Sequence, residues 1–307
     1  MKTRKIILLS AIGVLALTHA LQLALAGPTG AKTLSLKDGP DSVTIRKTGA
    51  DAATAAVLLK KADAAWTVGE RSYRADSAAV DSLVDSVANL KVLGSVSGGS
   101  NPGDEDRYGL ADGTALAVTL SKGGKELRTV RVGKASPTGQ QTYVTVDGKK
   151  EVLLVSGNLA ENFGKSEGEL RDRDIYSQAS DSLLGLTVSG AGNFSLTRAG
   201  SPPVWSVAPG ASGTAAAAEL DQDKTAAWVS SLANLRASKF LDDATPLPVS
   251  PLASVSLDFG PKKATVSIYE KQADGEYLCA SSETPSPFTL PGYIAEKYLK
   301  KLSDISN

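Results

Sequence analysis

The chain has 307 residues, of which 42% are hydrophobic and only 5% aromatic, with 33 basic and 33 acidic side chains. This length allows two modest domains, and the low aromatic content implies cores built mainly from Val, Leu and Ala. The zero net charge leaves no basic surplus to neutralise a phosphate backbone, so we expect no nucleic-acid binding.

The supply of histidine and cysteine restricts the chemistry further. His19 is the single histidine and lies in an N-terminal apolar stretch, and Cys279 is the single cysteine. The rest of the chain therefore cannot form a Ser-His-Asp or Cys-His catalytic set, an intrachain disulfide or a cysteine-rich zinc site. We expect no cofactor and no enzymatic activity, with carboxylate chemistry, oxygen-ligand metal sites and Lys or Tyr bases as the options still open.

Residues 1–26 have the pattern of a targeting segment. Three basic side chains within residues 1–5 precede an apolar run over residues 6–26. The length of this run favours an uncleaved anchor in the inner membrane, whereas its small-residue ending near Ala26 favours a cleaved signal peptide. Both interpretations predict an extracytoplasmic, periplasmic location for the remainder, either anchored by an N-terminal membrane helix or secreted after cleavage. Residues 27–32 are interpreted as a linker.

The remainder of the chain repeats itself. The sequence LVDSVANL at residues 83–90 recurs as WVSSLANL at residues 228–235, and Trp66 recurs as Trp205. We therefore predict two tandem units of similar structure, over residues 33–178 and 179–307.

Periodicity predicts the elements of each unit. Apolar and polar residues alternate, as in half-buried strands, over residues 42–47, 65–68, 115–120, 127–132, 141–146 and 151–155 of the first unit and 193–198, 204–207, 253–259, 265–269 and 276–280 of the second. The strands at 42–47 and 65–68 are expected to form a hairpin, as are those at 193–198 and 204–207. Turns at Gly123-Gly124 and Asp147-Gly148 predict two further hairpins.

Each unit also carries a pattern typical of an amphipathic helix. Val80, Leu83, Val84 and Val87 fall on one helical face, and Trp228, Val229 and Leu232 repeat the stripe. Asp76 or Ser77, and Asp221, are expected to cap these helices, and residues 156–163 and 292–302 to form short closing helices. The predicted class is α+β: each unit is an antiparallel sheet with one packed amphipathic helix and a short closing helix, behind the N-terminal hydrophobic helix.

Few residues are candidates for a functional site. The alternating charges of Arg171, Asp172, Arg173 and Asp174 indicate either a solvated turn or a partner-facing set of ion pairs. Trp66 and Trp205 are expected in the core, with ligand stacking as the alternative. The acidic residues 104–106 could offer oxygen ligands to calcium, but their spacing lacks the EF-hand pattern.

Several short blocks resemble, in order, a bacterial family of repeat domains of unknown function (DUF4340-like). The blocks are SYRADS at 72–77, NLKVL at 89–93, RYGL at 107–110, VGK at 132–134, TYV at 142–144 and LRDR at 170–173. Members of that family resemble N-terminally anchored extracytoplasmic proteins and are often encoded beside gliding-motility-type ABC transporter components. The resemblance implies an accessory role with such a transporter, supplies no catalytic or binding residues, and is weaker in the second unit, which lacks the RYGL and VGK blocks.

These observations favour a non-enzymatic, membrane-tethered extracytoplasmic protein that acts as an accessory, scaffold or binding subunit of an ABC-transporter-type envelope assembly. Its predicted partners are a membrane protein complex and, through the N-terminal helix, the membrane itself. Two alternatives stay open. One is an extracytoplasmic receptor for a small ligand, bound in a cleft between the units. The other is an envelope hydrolase with paired carboxylates, against which the low aromatic content counts.

Overall fold

The computed structural model describes residues 31–49, 56–208 and 219–307. They form two compact units: the first holds the described residues up to Tyr73 together with Ser77–Lys165, and the second holds Arg74–Asp76 together with Ser166–Asn307. The boundary expected between residues 178 and 179 falls inside the second unit. The targeting segment predicted over residues 1–26, and the linker up to residue 30, lie outside the described residues.

The first unit is built on one large antiparallel sheet. Its strands are β1 (Lys32–Ser35), β2 (Ser42–Lys47), β3 (Val57–Ala62), β4 (Ala65–Val68), β5 (Tyr73–Arg74), β6 (Asn89–Ser97), β7 (Leu116–Lys122), β8 (Lys125–Ala135), β9 (Gln141–Val146) and β10 (Val152–Ser156). The strand order is β1-β6-β10-β9-β8-β7-β2-β3-β4-β5.

The second unit repeats this topology. Its strands are β11 (Asp174–Ser177), β12 (Gly185–Gly190), β13 (Phe194–Ala199), β14 (Val204–Val207), β15 (Asn234–Arg236), β16 (Lys239–Phe240), β17 (Ala253–Asp258), β18 (Lys263–Lys271), β19 (Glu276–Ser281) and β20 (Thr284–Pro291). The main sheet has the order β14-β13-β12-β17-β18-β19-β20-β16, which matches β4-β3-β2-β7-β8-β9-β10-β6 strand for strand, while β11 and β15 form a separate two-stranded ribbon.

The helices are short and few. They are α1 (Ser77–Ala88), α2 (Asp104–Tyr108), α3 (Leu159–Phe163), α4 (Glu167–Leu170), α5 (Gln222–Ser230) and α6 (Gly292–Ala295), with 3₁₀ turns at Glu296–Leu299 and Leu302–Asp304. The predicted α1 stripe is confirmed, since Val80, Leu83, Val84 and Val87 are all buried. The predicted cap of α5 is also confirmed, because the Asp221 side chain accepts a hydrogen bond from the Lys224 amide.

The predicted α+β class is wrong, because the described residues are mostly β, with 45% in strands and 18% in helices. The helix-packed units were expected because several strands lack the alternation that identifies a half-buried strand. β20 contains Pro285, Pro287 and Pro291, which normally argue against a strand. β6 follows α1 without an intervening turn. The N-terminal hydrophobic helix of the predicted class lies outside the described residues.

Three of the four predicted hairpins form. β7 and β8 pair across Gly123-Gly124, and β9 and β10 pair across the turn at Asp147-Gly148, as expected. β13 and β14 also pair directly. The hairpin expected between residues 42–47 and 65–68 is wrong, because β3 lies between β2 and β4 and pairs with both.

The structure also corrects the predicted location. In residues 31–49, 56–208 and 219–307, no helix is long and apolar enough to cross a bilayer. No helix in these ranges therefore supports the predicted inner-membrane location through an N-terminal anchor. The segment assigned to the anchor or signal peptide, residues 1–26, is not among the described residues.

Candidate functional site

The charged run Arg171–Asp174 leads from α4 into β11 in the second unit, and its four residues have different surroundings. Arg171 is only 7% exposed. Its guanidinium stacks on the Phe240 ring at 3.7 Å from the centroid and donates to the Ser286 hydroxyl at 2.9 Å. A stacked, planar cation of this kind is held by its shape as well as its charge, so the Arg171 side chain anchors the run inside the second unit.

Asp172 and Asp174 form the ion pairs of the run. Arg74 Nε lies 2.9 Å from Asp172 Oδ2, and Arg236 Nη1 lies 2.6 Å from Asp174 Oδ1. The Arg74 guanidinium also donates to the Asp174 carbonyl at 2.7 Å. The hydrogen bond with Asp174 raises the pKa of the Arg236 guanidinium. Arg173 contributes its carbonyl, which accepts from the Ala237 amide at 2.8 Å.

Sequence reasoning missed the partners of this run because they are distant along the chain. Arg74 belongs to the SYRADS block, and the residues beside it dock on the LRDR block: Ala75 bridges to Arg171, and the Asp76 amide donates to the Leu170 carbonyl at 3.0 Å. Two blocks of the family resemblance therefore form one structural cluster. Arg236 had no signal in the sequence beyond its place after the repeated ANL segment.

A groove of about 510 Å³ opens beside this cluster. Asp174 and Arg236 line it together with residues of β15 and with Tyr293 at the start of α6. Tyr293 is 72% exposed, whereas tyrosine is on average intermediate in burial. The groove therefore combines an exposed aromatic ring with an accessible arginine that is paired with a carboxylate. Tyrosine and arginine are residue types enriched at protein interfaces.

A second cavity, of about 600 Å³, lies in the first unit. Its floor is the polar face of the sheet, where Thr129, Arg131 and Thr145 lie on β8 and β9. One side is formed by the loop and helix α2 that carry Glu105 and Asp106, and α2 packs on β8 at Gly133. Lys149 and Lys150 line the cavity after the β9–β10 turn, which is hydrogen-bonded to β8 further along the strand, at Thr129. The cavity is thus lined by both signs of charge.

Close backbone contacts hold α2 against the sheet. A side chain at Gly133 would place its Cβ 2.3 Å from the Tyr108 carbonyl oxygen, a distance that no real Cβ adopts. Gly109 ends α2 with φ of 69°, in the left-handed region that favours glycine. The Tyr108 ring packs on the Tyr143 ring at 4.8 Å between centroids. The RYGL, VGK and TYV blocks therefore converge on one structural feature, the wall of this cavity.

The remaining candidate residues are structural. Trp66 is 1% exposed, and its indole nitrogen donates to Asp81 Oδ1 at 2.7 Å. Trp205 is also buried, in agreement with the expected core packing. Of the acidic residues 104–106, Asp104 is buried and accepts a hydrogen bond from the Ser97 hydroxyl. In the part of the chain that the structure describes, no group of three or more acidic, His or Cys side chains is placed to hold a metal ion.

The cysteine and two of the tyrosines, Tyr176 and Tyr298, are buried. Burial raises the pKa of the Cys279 thiol to about 12, so the thiolate that reacts is scarce at neutral pH. The hydroxyls of Tyr176 and Tyr298 lie 2.8 Å apart in the core, and burial raises the pKa of both. None of these three side chains lines the 600 Å³ cavity.

Comparison with known proteins gives one match. The family described as "Domain of unknown function (DUF4340)" matches residues 66–255, which is more than half of the chain. No curated protein and no solved structure matches significantly.

Proposed function

The chain belongs to the DUF4340 family of domains of unknown function, and from that premise we propose that it is a non-enzymatic binding protein. It serves as an accessory or scaffold subunit and docks on a partner protein of an ABC-transporter-type assembly. The partner class comes from the resemblance, since such domains are often encoded beside transporter components.

One observation carries the proposal: Tyr293, Arg236 and Asp174 share one groove in the second unit. Tyrosine and arginine dominate the binding energy of protein interfaces because each combines a large contact area with directional polar groups. Arg236 and Asp174 are already oriented by their mutual hydrogen bond, so little side-chain freedom is lost when a partner covers them.

The chemistry of the other side chains favours binding over catalysis. Glycoside hydrolysis needs two carboxyl groups on either side of the scissile bond. The three carboxylates that line the cavity of the first unit all belong to α2 and so share one wall. Asp172 and Asp174 are engaged by arginines. These arrangements suit recognition of a partner better than proton transfer.

The proposal is tested by purifying the tagged full-length protein from its own cells at native expression, with mass spectrometry of what accompanies it. We expect the subunits of an ABC-type transporter in a fixed ratio to the bait. Tyr293→Ala and Arg236→Glu should each reduce that recovery at least tenfold, which corresponds to about 1.4 kcal/mol of binding free energy. Val204→Ala, at a half-exposed position outside the groove, is the matched control and should leave recovery unchanged.

Two results would count against the proposal. Reproducible recovery of the bait alone would remove the accessory role. Equal recovery with the wild type and both groove variants would remove the docking surface while leaving the association itself intact.

A further inference from the structure

The 600 Å³ cavity of the first unit plays no part in the proposed docking surface. Its size lies within the range of small-ligand sites, which is about 300–1,000 Å³. It lies over the polar face of a sheet whose other face carries the buried Val118, Val130, Val132 and Val144. The walls are thus mounted on a rigid element, as a binding site requires.

The charges of this cavity are separated by sign. Glu105 and Asp106 are exposed on α2, and Lys149 and Lys150 are exposed after β9. Within the described residues, none of these four side chains forms a salt bridge or a hydrogen bond. Opposite charges that line one cavity without pairing leave room for a molecule between them.

The floor supplies further polar groups. Arg131 lies in the same row across the sheet as Ala117 and Thr145, and its Nη2 donates to Asp112 at 2.8 Å. This ion pair fixes the guanidinium in the floor of the cavity. Leu110 and Val152 add a small apolar surface.

A ligand with one sign of charge would be attracted by one wall and repelled by the other. A ligand with an ammonium and a carboxylate at opposite ends would interact favourably with both, and this difference gives specificity. We propose that the cavity binds a short zwitterionic peptide, with its free amino terminus at Glu105 and Asp106 and its carboxylate at Lys149 and Lys150. The Thr145 hydroxyl on the cavity floor then faces the peptide backbone groups between the two ends.

The proposal is tested by calorimetry and amide chemical shifts on the full-length protein with three probes: trialanine, N-acetyl-trialanine and trialanine amide. We expect trialanine to bind at least tenfold more tightly than either blocked peptide, with shifts at residues 104–106 and 149–150. Raising the salt concentration to 0.5 M should weaken binding, because exposed charges are screened.

Charge-removing variants locate the site. Lys149→Gln with Lys150→Gln, and Glu105→Gln with Asp106→Asn, should each lower the affinity for trialanine at least tenfold. Lys125→Gln, on an exposed lysine of β8 outside the cavity, is the matched control and should change nothing. Far-ultraviolet circular dichroism checks that each variant is folded.

Three results would overturn the inference: no binding of trialanine at millimolar concentration, equal binding of all three peptides, or binding that survives both double variants. Each is independent of the recovery experiment for the docking surface, so failure of one proposal can be distinguished from failure of the other.

Discussion

At the scale of single residues, Arg128 explains how α1 ends. The side chain is 7% exposed, and its Nη1 donates to the carbonyls of Leu34, Val87 and Ala88 at 2.8–3.0 Å. Val87 and Ala88 are the last residues of α1, whose final carbonyls lack partners inside the helix. A positive charge at this end also interacts favourably with the helix dipole. Burial lowers the pKa of this guanidinium, which nevertheless remains charged.

Replacing Arg128 should therefore destabilise the first unit. Arg128→Met keeps most of the side-chain volume but removes the donor to the carbonyls of Leu34, Val87 and Ala88, of which Ala88 keeps the Leu36 amide as a second donor. We expect a loss of about 1–3 kcal/mol in the free energy of unfolding. Lys125→Met, at an exposed position of the same strand, should change it by less than about 0.5 kcal/mol. Urea titration checks both variants, and equal midpoints would contradict the assigned role.

Asp81 of the same helix accepts a hydrogen bond from the buried Trp66, and this makes the stability of the fold depend on pH. The hydrogen bond from the Trp66 indole, followed by the neighbouring Lys61, holds the pKa of this carboxyl below its ordinary value. A lowered folded-state pKa stabilises the fold above the unfolded value of about 3.9. That stabilisation is lost as the pH falls through the folded value.

Asp81→Asn keeps the shape of the side chain and an acceptor oxygen but removes the charge. Because Asp81 is more than half exposed, solvent screens the interaction. We therefore expect the variant to lose at most about 1 kcal/mol at pH 7. The difference from the wild type should vanish towards pH 2, as seen by urea titration at several pH values. A difference that stayed constant with pH would show that charge is not involved.

At the scale of elements, α2 can approach β8 closely only because position 133 is a glycine. Gly133→Ala would bring a Cβ within 2.3 Å of the Tyr108 carbonyl oxygen, and backbone atoms cannot swing aside as a side chain would. We expect a loss of about 1–3 kcal/mol, typical of overpacking, and faster amide exchange in residues 104–110.

Gly168→Ala is the matched control for that variant. Gly168 lies in α4, and a Cβ there meets nothing within 4 Å. We expect no loss of stability and a gain of up to about 1 kcal/mol from the higher helix propensity of alanine. If the amide hydrogens of residues 104–110 exchanged with solvent no faster in Gly133→Ala than in the wild type, the close packing of α2 on β8 would be wrong.

The elements also show what could be predicted from the sequence. Val80, Leu83, Val84 and Val87 identified α1 because its apolar period is undisturbed, and Gly123-Gly124 identified a hairpin because both residues have positive φ. β3 was missed because its run of two leucines and two lysines does not alternate. Arg128 was predicted in a strand, but its role as a helix cap depends on which strand lies beneath α1, and that is a property of the topology.

At the scale of the whole molecule, the duplication is one of topology more than of sequence. The eight strands β4-β3-β2-β7-β8-β9-β10-β6 recur as β14-β13-β12-β17-β18-β19-β20-β16. The two hairpins expected from the sequence equate residues 193–198 with residues 42–47, and this correspondence is wrong, because β13 (Phe194–Ala199) is the topological equivalent of β3. The two units have kept the fold while their surfaces have diverged, with a charged cavity in one and an aromatic groove in the other.

The candidate sites could be predicted only in part for the same reason. The run Arg171–Asp174 was visible as alternating charge, and its proposed role as a partner-facing set remains a prediction. Arg236 and Tyr293 join it only because β15 and α6 fold beside β11. The two walls of the cavity come from segments more than 40 residues apart, with no shared motif.

The most direct test of the central claim is site-specific photocrosslinking from position 293 in the full-length protein, expressed in its own cells. A photoreactive phenylalanine analogue replaces Tyr293, and a second variant carries it at Val204 as a control outside the groove. We predict a crosslink from position 293 to a transporter subunit and none from position 204. A transporter subunit crosslinked from position 204 but not from 293, or no crosslink from either position, would contradict it.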